Sequence, residues 1–384
     1  MPEPGAAPLI RFRSIDILRG AVVVLMAIDH VRVYSGLPAG GPTAGIFLTR
    51  WVTHFCAPAF VFLAGTSAWL YGRRHADLAT FLLTRGAWLI VLELTLLRLA
   101  WTFNAGFGGY NMAGVIWVLG WAMIVLALLS KLPVKAIAAI GIAIIALHNL
   151  APMAYGTDSA FLKLLYVGFF SDPIGGEGGP SLVVLYTLIP WIGVMAAGYA
   201  FGRIIEMEPV RRDRLCLRIG LGATLLFLVL RAFNLYGDPQ PWPGEEPMPA
   251  WIAFLNTSKY PASFQFLLMT LGPTIALIPF AERARGVFVR TMETFGKVPF
   301  FFYVLHIPLI HVLALVVSQL RLGAVSPWLF ENHPMGVGPA PDGYAWGLGT
   351  LYLVWFIAVV LLYIACRWYA GYKATHRAWW LKYL

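Results

Sequence analysis

Charge is what this sequence has little of. Asp, Glu, Lys and Arg make up 12% of its 384 residues, about half the share of a soluble globular domain, which excludes an ordinary water-soluble surface. Cysteine is scarcer still. Cys56, Cys216 and Cys366 match neither a disulfide framework nor a metal-ligand spacing, so all three read as packing residues and no metal site is expected. No G-x-S-x-G, G-x-x-x-x-G-K-[ST] or H-E-x-x-H occurs, which removes the nucleophile elbow, the phosphate loop and the zinc-protease helix. No internal repeat is visible, so the inverted-repeat signature of many transporters is missing too.

Apolar sequence fills the space. Hydrophobic residues reach 59% and the mean hydropathy is +0.74. Runs of about 20 apolar residues recur, each long enough for a hydrocarbon core roughly 30 Å thick. The expected fold is all-α: a polytopic integral membrane protein with about ten transmembrane helices and both termini cytoplasmic. The predicted spans are 15–36, 51–72, 80–101, 113–130, 134–151, 181–205, 215–236, 262–281, 298–321 and 346–369. Phe161–Phe170 is too short to span and reads as re-entrant or interfacial. The first span resembles a signal peptide, but it carries Asp16, Arg19 and Asp29, runs too long and shows no cleavage site, so it reads as retained.

The net charge of +10 sits in alternate connections rather than on one soluble face, so no nucleic-acid partner is expected. Arg11, Arg13, Arg73, Arg74, Lys131, Lys135, the arginines at 203–218, Arg283–Lys297 and Arg367–Lys382 would face the cytoplasm. Outside connections keep only Arg50, Lys163, Lys259 and residues at helix ends, such as Arg231 and Arg321. Trp51, Trp101, Trp242, Trp251, Trp328 and Trp346 lie near outer helix ends, as an aromatic belt would. The glycine-rich FNAGFGGYNMAG stretch reads as a flexible outer loop. Residues 1–14 form a cytoplasmic segment, and 370–384, containing HRAWWLKYL, an interfacial cytoplasmic anchor.

An ionisable side chain at membrane depth is costly and marks a functional candidate. The first span is the richest. Arg19 and His30 lie eleven residues apart, about three helical turns, so they share a face roughly 16 Å apart along the axis. Asp16, three residues before Arg19, can pair with it. Asp29 is about 100° round the helix from His30, which makes it a less direct partner for the imidazole than the DH pair implies. Arg reads phosphate with a fixed fork, and His exchanges a proton near neutral pH. That combination suits coenzyme A, a phosphorylated nucleotide carrying a thioester on a long arm. The blander readings are an Arg19 that snorkels to the interface and an Asp29–His30 polar contact between helices. His54 reads first as an interfacial residue beside Trp51 and second as a cavity lining. Glu93 and Arg98 read as a structural ion pair. On the ninth span Tyr303, His306 and His311 sit around Pro308, which frees a backbone carbonyl. The histidines there either line a cavity or satisfy freed carbonyls.

The blocks RFRSIDILRG with its following DH pair, APAFVFLAGTS and GKVPFFFYVLHIPLIH resemble a bacterial membrane family of unknown function related to the catalytic domain of heparan-α-glucosaminide N-acetyltransferase. That group stands beside the membrane acyltransferase-3 proteins, whose Arg or Lys, ten residues, then His matches Arg19 and His30. The resemblance implies a transmembrane acyltransferase-like domain over 15–369 in a bacterial inner membrane. Acetyl-CoA or another acyl-CoA would arrive from the cytoplasm as cosubstrate, with no cofactor held permanently. The acceptor would be a hydroxyl or amine, such as an envelope glycan, near the outer face, and homo-oligomers are an open option. On this reading Arg19, oriented by Asp16, holds a phosphate, and His30, with Asp29 beside it, acts as general base or carries the acyl group. The sequence departs from the lysosomal pattern, which has Asn at the position of His30 and takes its His from the next outer loop. Residues 36–50 contain no His, so the heparan acceptor is not carried over. Two other classes remain: a proton-coupled transporter or flippase of a small anion using Arg19, Asp29 and His30, and a scaffold without chemistry.

Overall fold

The computed structural model describes residues 12–40, 43–106, 108–151, 157–168, 172–176, 179–244, 248–331, 339–376 and 378–382. The long elements are α1 (Arg13–Ser35), α2 (Ala44–Gly72), α3 (Leu78–Thr102), β1 (Tyr110–Ala113), α4 (Val115–Leu129) and α5 (Val134–Leu147). There follow β2 (Ile174–Gly175), β3 (Ser181–Val184), α6 (Leu188–Ile205), α7 (Pro209–Ala232), α8 (Phe264–Arg283), α9 (Val287–Lys297), α10 (Pro299–Leu322) and α11 (Leu348–Thr375). Among the described residues seven helices, α2, α3, α6, α7, α8, α10 and α11, are long and apolar enough to cross a membrane; α4 and α5 are shorter apolar helices. The chain is a multi-pass membrane protein.

Helix α1 carries too many charges to pass as a span on hydropathy, yet it is the hub of the bundle. It packs against α2, α8, α9, α10 and α11, and most of its length is buried. A helix buried on every side belongs to the core, and its polar side chains therefore face protein. Helices α7 and α11 lie outermost, with Leu221, Leu225, Leu353, Phe356 and Ile364 exposed as lipid-facing residues are. Gly36, at φ 74°, ends α1 in the left-handed conformation, which glycine adopts without steric penalty.

Paired glycines bring helices close. A Cβ on Gly20 would overlap the Met292 carbonyl, and one on Gly296 the Asp16 carbonyl, so α1 and α9 touch backbone to backbone. Gly65 and Gly198 do the same for α2 and α6. Small residues at crossings replace the hydrophobic drive that lipid cannot supply. Gly20→Val is expected to cost more than the about 1–3 kcal/mol of ordinary overpacking, because backbone cannot step aside. Gly222→Ala, with open space around it, is the control. Thermal unfolding in detergent checks this, and a wild-type midpoint for Gly20→Val would refute the close crossing.

Several expectations shift. The span predicted from 181 starts at Leu188, because Ser181–Val184 pairs parallel with Tyr110–Ala113 and antiparallel with Ile174–Gly175. This small sheet ties together two loops that read as irregular, giving buried backbone groups partners they need. FNAGFGGYNMAG thus ends in a strand, and Arg98 holds its start by donating to the carbonyls of Asn104 (2.5 Å), Gly106 (2.5 Å) and Tyr110 (3.4 Å). The expected Glu93–Arg98 pair gives way to separate tasks: Glu93 accepts from the amides of Ile116 (2.9 Å) and Trp117 (3.2 Å), capping α4, whose first N–H groups lack helical partners. Of Phe161–Phe170, residues 161–167 form short helical turns; 169 and 170 lie outside the described residues. Trp101 and Trp346 are buried rather than belted around the rim. Helix α11 continues six residues past 369, to Thr375.

Candidate active site

Two cavities open at opposite ends of the bundle, and α1 runs between them. The first, of 330 Å³, lies at the basic end where α1 begins and α9 and α11 finish. Asp16 and Arg19 line it from α1, Arg85 from α3, Lys297 from the end of α9, Tyr303 from α10 and Lys373 from α11. Four cations thus face one carboxylate. Arg19 donates to the Leu63 carbonyl (2.9 Å) and to the Ser67 hydroxyl, so its guanidinium is held against α2 instead of reaching out to the interface. Lys297 shares Glu293 (3.3 Å) with Arg13 (3.4 Å). Burial pushes the Glu293 carboxyl up, but Lys297 and Arg13 beside it bring it below its ordinary value.

Tyr303 also lines this cavity, and its buried ring lies edge-on to both His30 and His306, at 6.5 and 5.2 Å between centroids. There His30 Nδ1 and His306 Nε2 stand 2.6 Å apart, the rings stacked at 4.8 Å. The proton positions follow from what else His306 touches. Its Nδ1 lies 2.5 Å from the Tyr303 carbonyl and 3.2 Å from that of Phe302. Carbonyls only accept, so His306 Nδ1 carries hydrogen and a neutral His306 presents a bare Nε2. His30 Nδ1–H then donates to it, which places the remaining lone pair on His30 Nε2. No hydrogen bond among the described residues engages that atom. Trp101, edge-on to His30 at 4.9 Å, walls the ring on the other side. The arrangement is a base oriented by a second histidine that backbone carbonyls hold in one tautomer.

Asp29 turns away from this pair. It joins Arg32 at 2.8 Å and Arg50 at 3.3 Å, as its angle round the helix anticipates. Arg50 also lines the second cavity, of 230 Å³, at the loop end, together with His54, Gln240, Asn256, Ser258, Lys259 and Tyr260. His54 is buried in a 3-10 segment of α2, edge-on to Phe266 at 5.4 Å, rather than sitting at an interface. Burial pushes the Tyr260 phenol up, yet Lys259 and Arg50, at 5.2 and 5.7 Å from its ring centre, bring it below its usual value.

His311 stands apart from both cavities. It lies within hydrogen-bond distance of the Ala100 carbonyl (3.3 Å) and stacks on Phe103 and Tyr34, tying α10 to α3. Of the sequence-level candidates, then, His30, His306 and Tyr303 meet, Asp16 and Arg19 share a cavity with Tyr303, and Asp29 and His54 belong to the loop end. Lys297, Lys373, Arg50 and Lys259 escaped notice as site residues, while Arg85 stands out in the sequence as an ionisable residue at membrane depth on the third predicted span. For Arg50 and Lys259 a signal existed: both are exceptions to the basic-loop rule.

Seven helices long and apolar enough to cross a membrane, packed around a buried histidine pair that meets a cavity-lining tyrosine, define a multi-pass membrane protein. The profile of the catalytic domain of heparan-alpha-glucosaminide N-acetyltransferase matches residues 11–230, more than half of the chain, and the chain belongs to that family. The match includes Arg19, Asp29, His30 and His54; Lys297, Tyr303 and His306 lie beyond it. No curated protein matches the chain.

Proposed function

We propose that this protein is a membrane acyltransferase that moves an acetyl or similar acyl group from acyl-CoA to a hydroxyl or amine. The observation that carries this reading is the placement of His30: its Nδ1 is committed to His306, and its ring meets edge-on the Tyr303 that lines a cavity with four cations. The basic end faces the cytoplasm of a bacterial cell, where coenzyme A resides, and the acceptor approaches from the loop end. Arg19, with Arg85, Lys297 and Lys373 around it, receives the phosphorylated nucleotide, and the pantetheine arm carries the thioester towards Tyr303.

At the centre His30 Nε2 takes the proton from the acceptor as its oxygen or nitrogen attacks the thioester carbonyl. The carbon–sulfur bond breaks, and the proton passes from His30 to the departing thiolate, leaving free CoA. While His30 is protonated, the positive charge is shared through His306 with the Tyr303 and Phe302 carbonyls. Transient acylation of Nε2 is the other route the same geometry serves, and a burst of free thiol without acceptor distinguishes it. Holding donor and acceptor at one centre supplies much of the acceleration.

The test is the donor dependence of Arg19→Ala. KM for acetyl-CoA is expected to rise about 10- to 100-fold, the worth of one hydrogen bond to a charged group, with kcat largely kept. An unchanged KM would remove Arg19 from the donor site and leave the cavity without its assigned ligand.

A further inference from the structure

The loop-end cavity carries a surplus of positive charge that the fold does not use. Arg32, Arg50 and Lys259 gather near Asp29; the first two pair with it, and no carboxylate among the described residues stands within ion-pair distance of Lys259. Lys259 is 8% exposed, and its ammonium lies over the face of Tyr260, 5.2 Å from the ring centre. It lies in Coulombic range of Asp29, His30 and His54. Asp238, an acid of the same loop, is taken by Ser258, Ser263 and Arg231. Among the described residues one carboxylate thus stands against three cations in a buried setting, which is costly unless a partner arrives. The same cavity has a second unfilled position. His54 is 5% exposed and lines it, and its buried Nδ1 has no hydrogen-bond partner among the described residues. A structural network tying the loops together explains the Arg32–Asp29–Arg50 chain, but neither Lys259 nor His54.

We propose that this cavity is the acceptor site and that it selects an acceptor carrying an anionic oxygen group, a carboxylate or phosphate, held by Lys259 and Arg50 with His54 completing the contacts. The assignment of the ligand as acceptor rests on the acyltransferase reading; the anion site does not. Its 230 Å³ is below the about 300–1,000 Å³ of ordinary ligand pockets, so it takes one polar unit rather than a polymer segment. Asn256 and Gln240 at the wall suit neutral hydroxyls beside the anion. The anionic group anchors the acceptor at the loop end, and its nucleophilic hydroxyl or amine extends towards His30, which lies in Coulombic range of Lys259.

The experiment uses the full chain in nanodiscs at constant ionic strength, with glucuronate, glucose 6-phosphate and glucose as probes and binding read by thermal shift. The first or second probe is expected to stabilise the wild type and glucose is not. In Lys259→Gln the Kd for the anionic probe is expected to rise about tenfold or more, while Lys259→Arg, which keeps the charge, retains binding and guards against a folding defect. Equal stabilisation by glucose, an undiminished response in Lys259→Gln, or a shift that follows ionic strength alone would overturn the proposal. Free-thiol release from acetyl-CoA is followed in the same samples. Anion binding without thiol release under any condition would sustain the site and sink the acyltransferase reading; thiol release driven equally by the neutral sugar would do the reverse.

Discussion

His30→Ala is expected to lower kcat for acetyl transfer by about 10²–10⁴-fold, the range that a positioned general base supplies, with acetyl-CoA affinity nearly unchanged. The split follows from distance. Arg19 and the other cations line the cavity from its basic end, about 16 Å along α1 from His30 by helical rise, so removing the imidazole leaves the nucleotide contacts intact. His30→Gln, which keeps most of the volume beside Trp101 and His306 but offers no base, is expected to behave alike. Steady-state kinetics on purified protein of verified thermal stability check both. A kcat within a few-fold of wild type for either variant would take His30 out of the chemistry.

His306→Ala is expected to reduce kcat by about 10²- to 10⁴-fold, the range that a positioned general base supplies and up to the scale at which a catalytic histidine suffers from a wrong tautomer. In the proposed mechanism His306 is a positioning residue: its Nδ1 is fixed by the Tyr303 and Phe302 carbonyls, and its Nε2 fixes His30 Nδ1–H. Without it His30 can put its hydrogen on either nitrogen, and its ring loses a stacking neighbour. The side chain is fully buried, so truncation also leaves a void that lowers stability. His306→Gln separates the two effects, since its amide oxygen can accept from His30 Nδ1. Recovery of at least part of kcat in the Gln variant, with KM for acetyl-CoA flat across the series, is the expected pattern. Equal kcat losses in the Ala and Gln variants, each tracking thermal stability, would reduce His306 to packing.

Seven of the ten predicted spans were legible because hydropathy and length decide them; α1 is too charged, and α4 and α5 too short, to pass on those grounds. The boundaries of α3, α8 and α10 fall within a few residues of their predicted positions. Ser181–Val184 was misplaced for a physical reason: a short apolar run reads alike as a strand or a helix start, and its partner Tyr110–Ala113 lies far along the chain. Helix α1 announced Arg19 and His30 through intramembrane charge and a shared face. The meeting of His30 with His306 was out of reach, because 276 positions separate them and only the packing of α10 on α1 brings them together. Pro308 pointed to carbonyls needing partners; the ones His306 bonds are those of Phe302 and Tyr303, a turn earlier in its own helix. Arg50 and Lys259 illustrate the other limit. Each stood out as an outside cation, but their convergence beside Asp29 depends on how the loop before α8 folds back over α2.

The most direct test of the account is stoichiometric: wild-type protein in sealed proteoliposomes, acetyl-CoA offered on the side of the basic end, and free thiol counted against acyl product. The expected result is one thiol released for each acceptor acylated, abolished by His30→Ala and weakened at the KM level by Arg19→Ala. Tight binding of CoA with no thiol released for any hydroxyl or amine supplied, alongside movement of an anion across the membrane that depends on His30, would contradict it and make the histidine pair a proton relay.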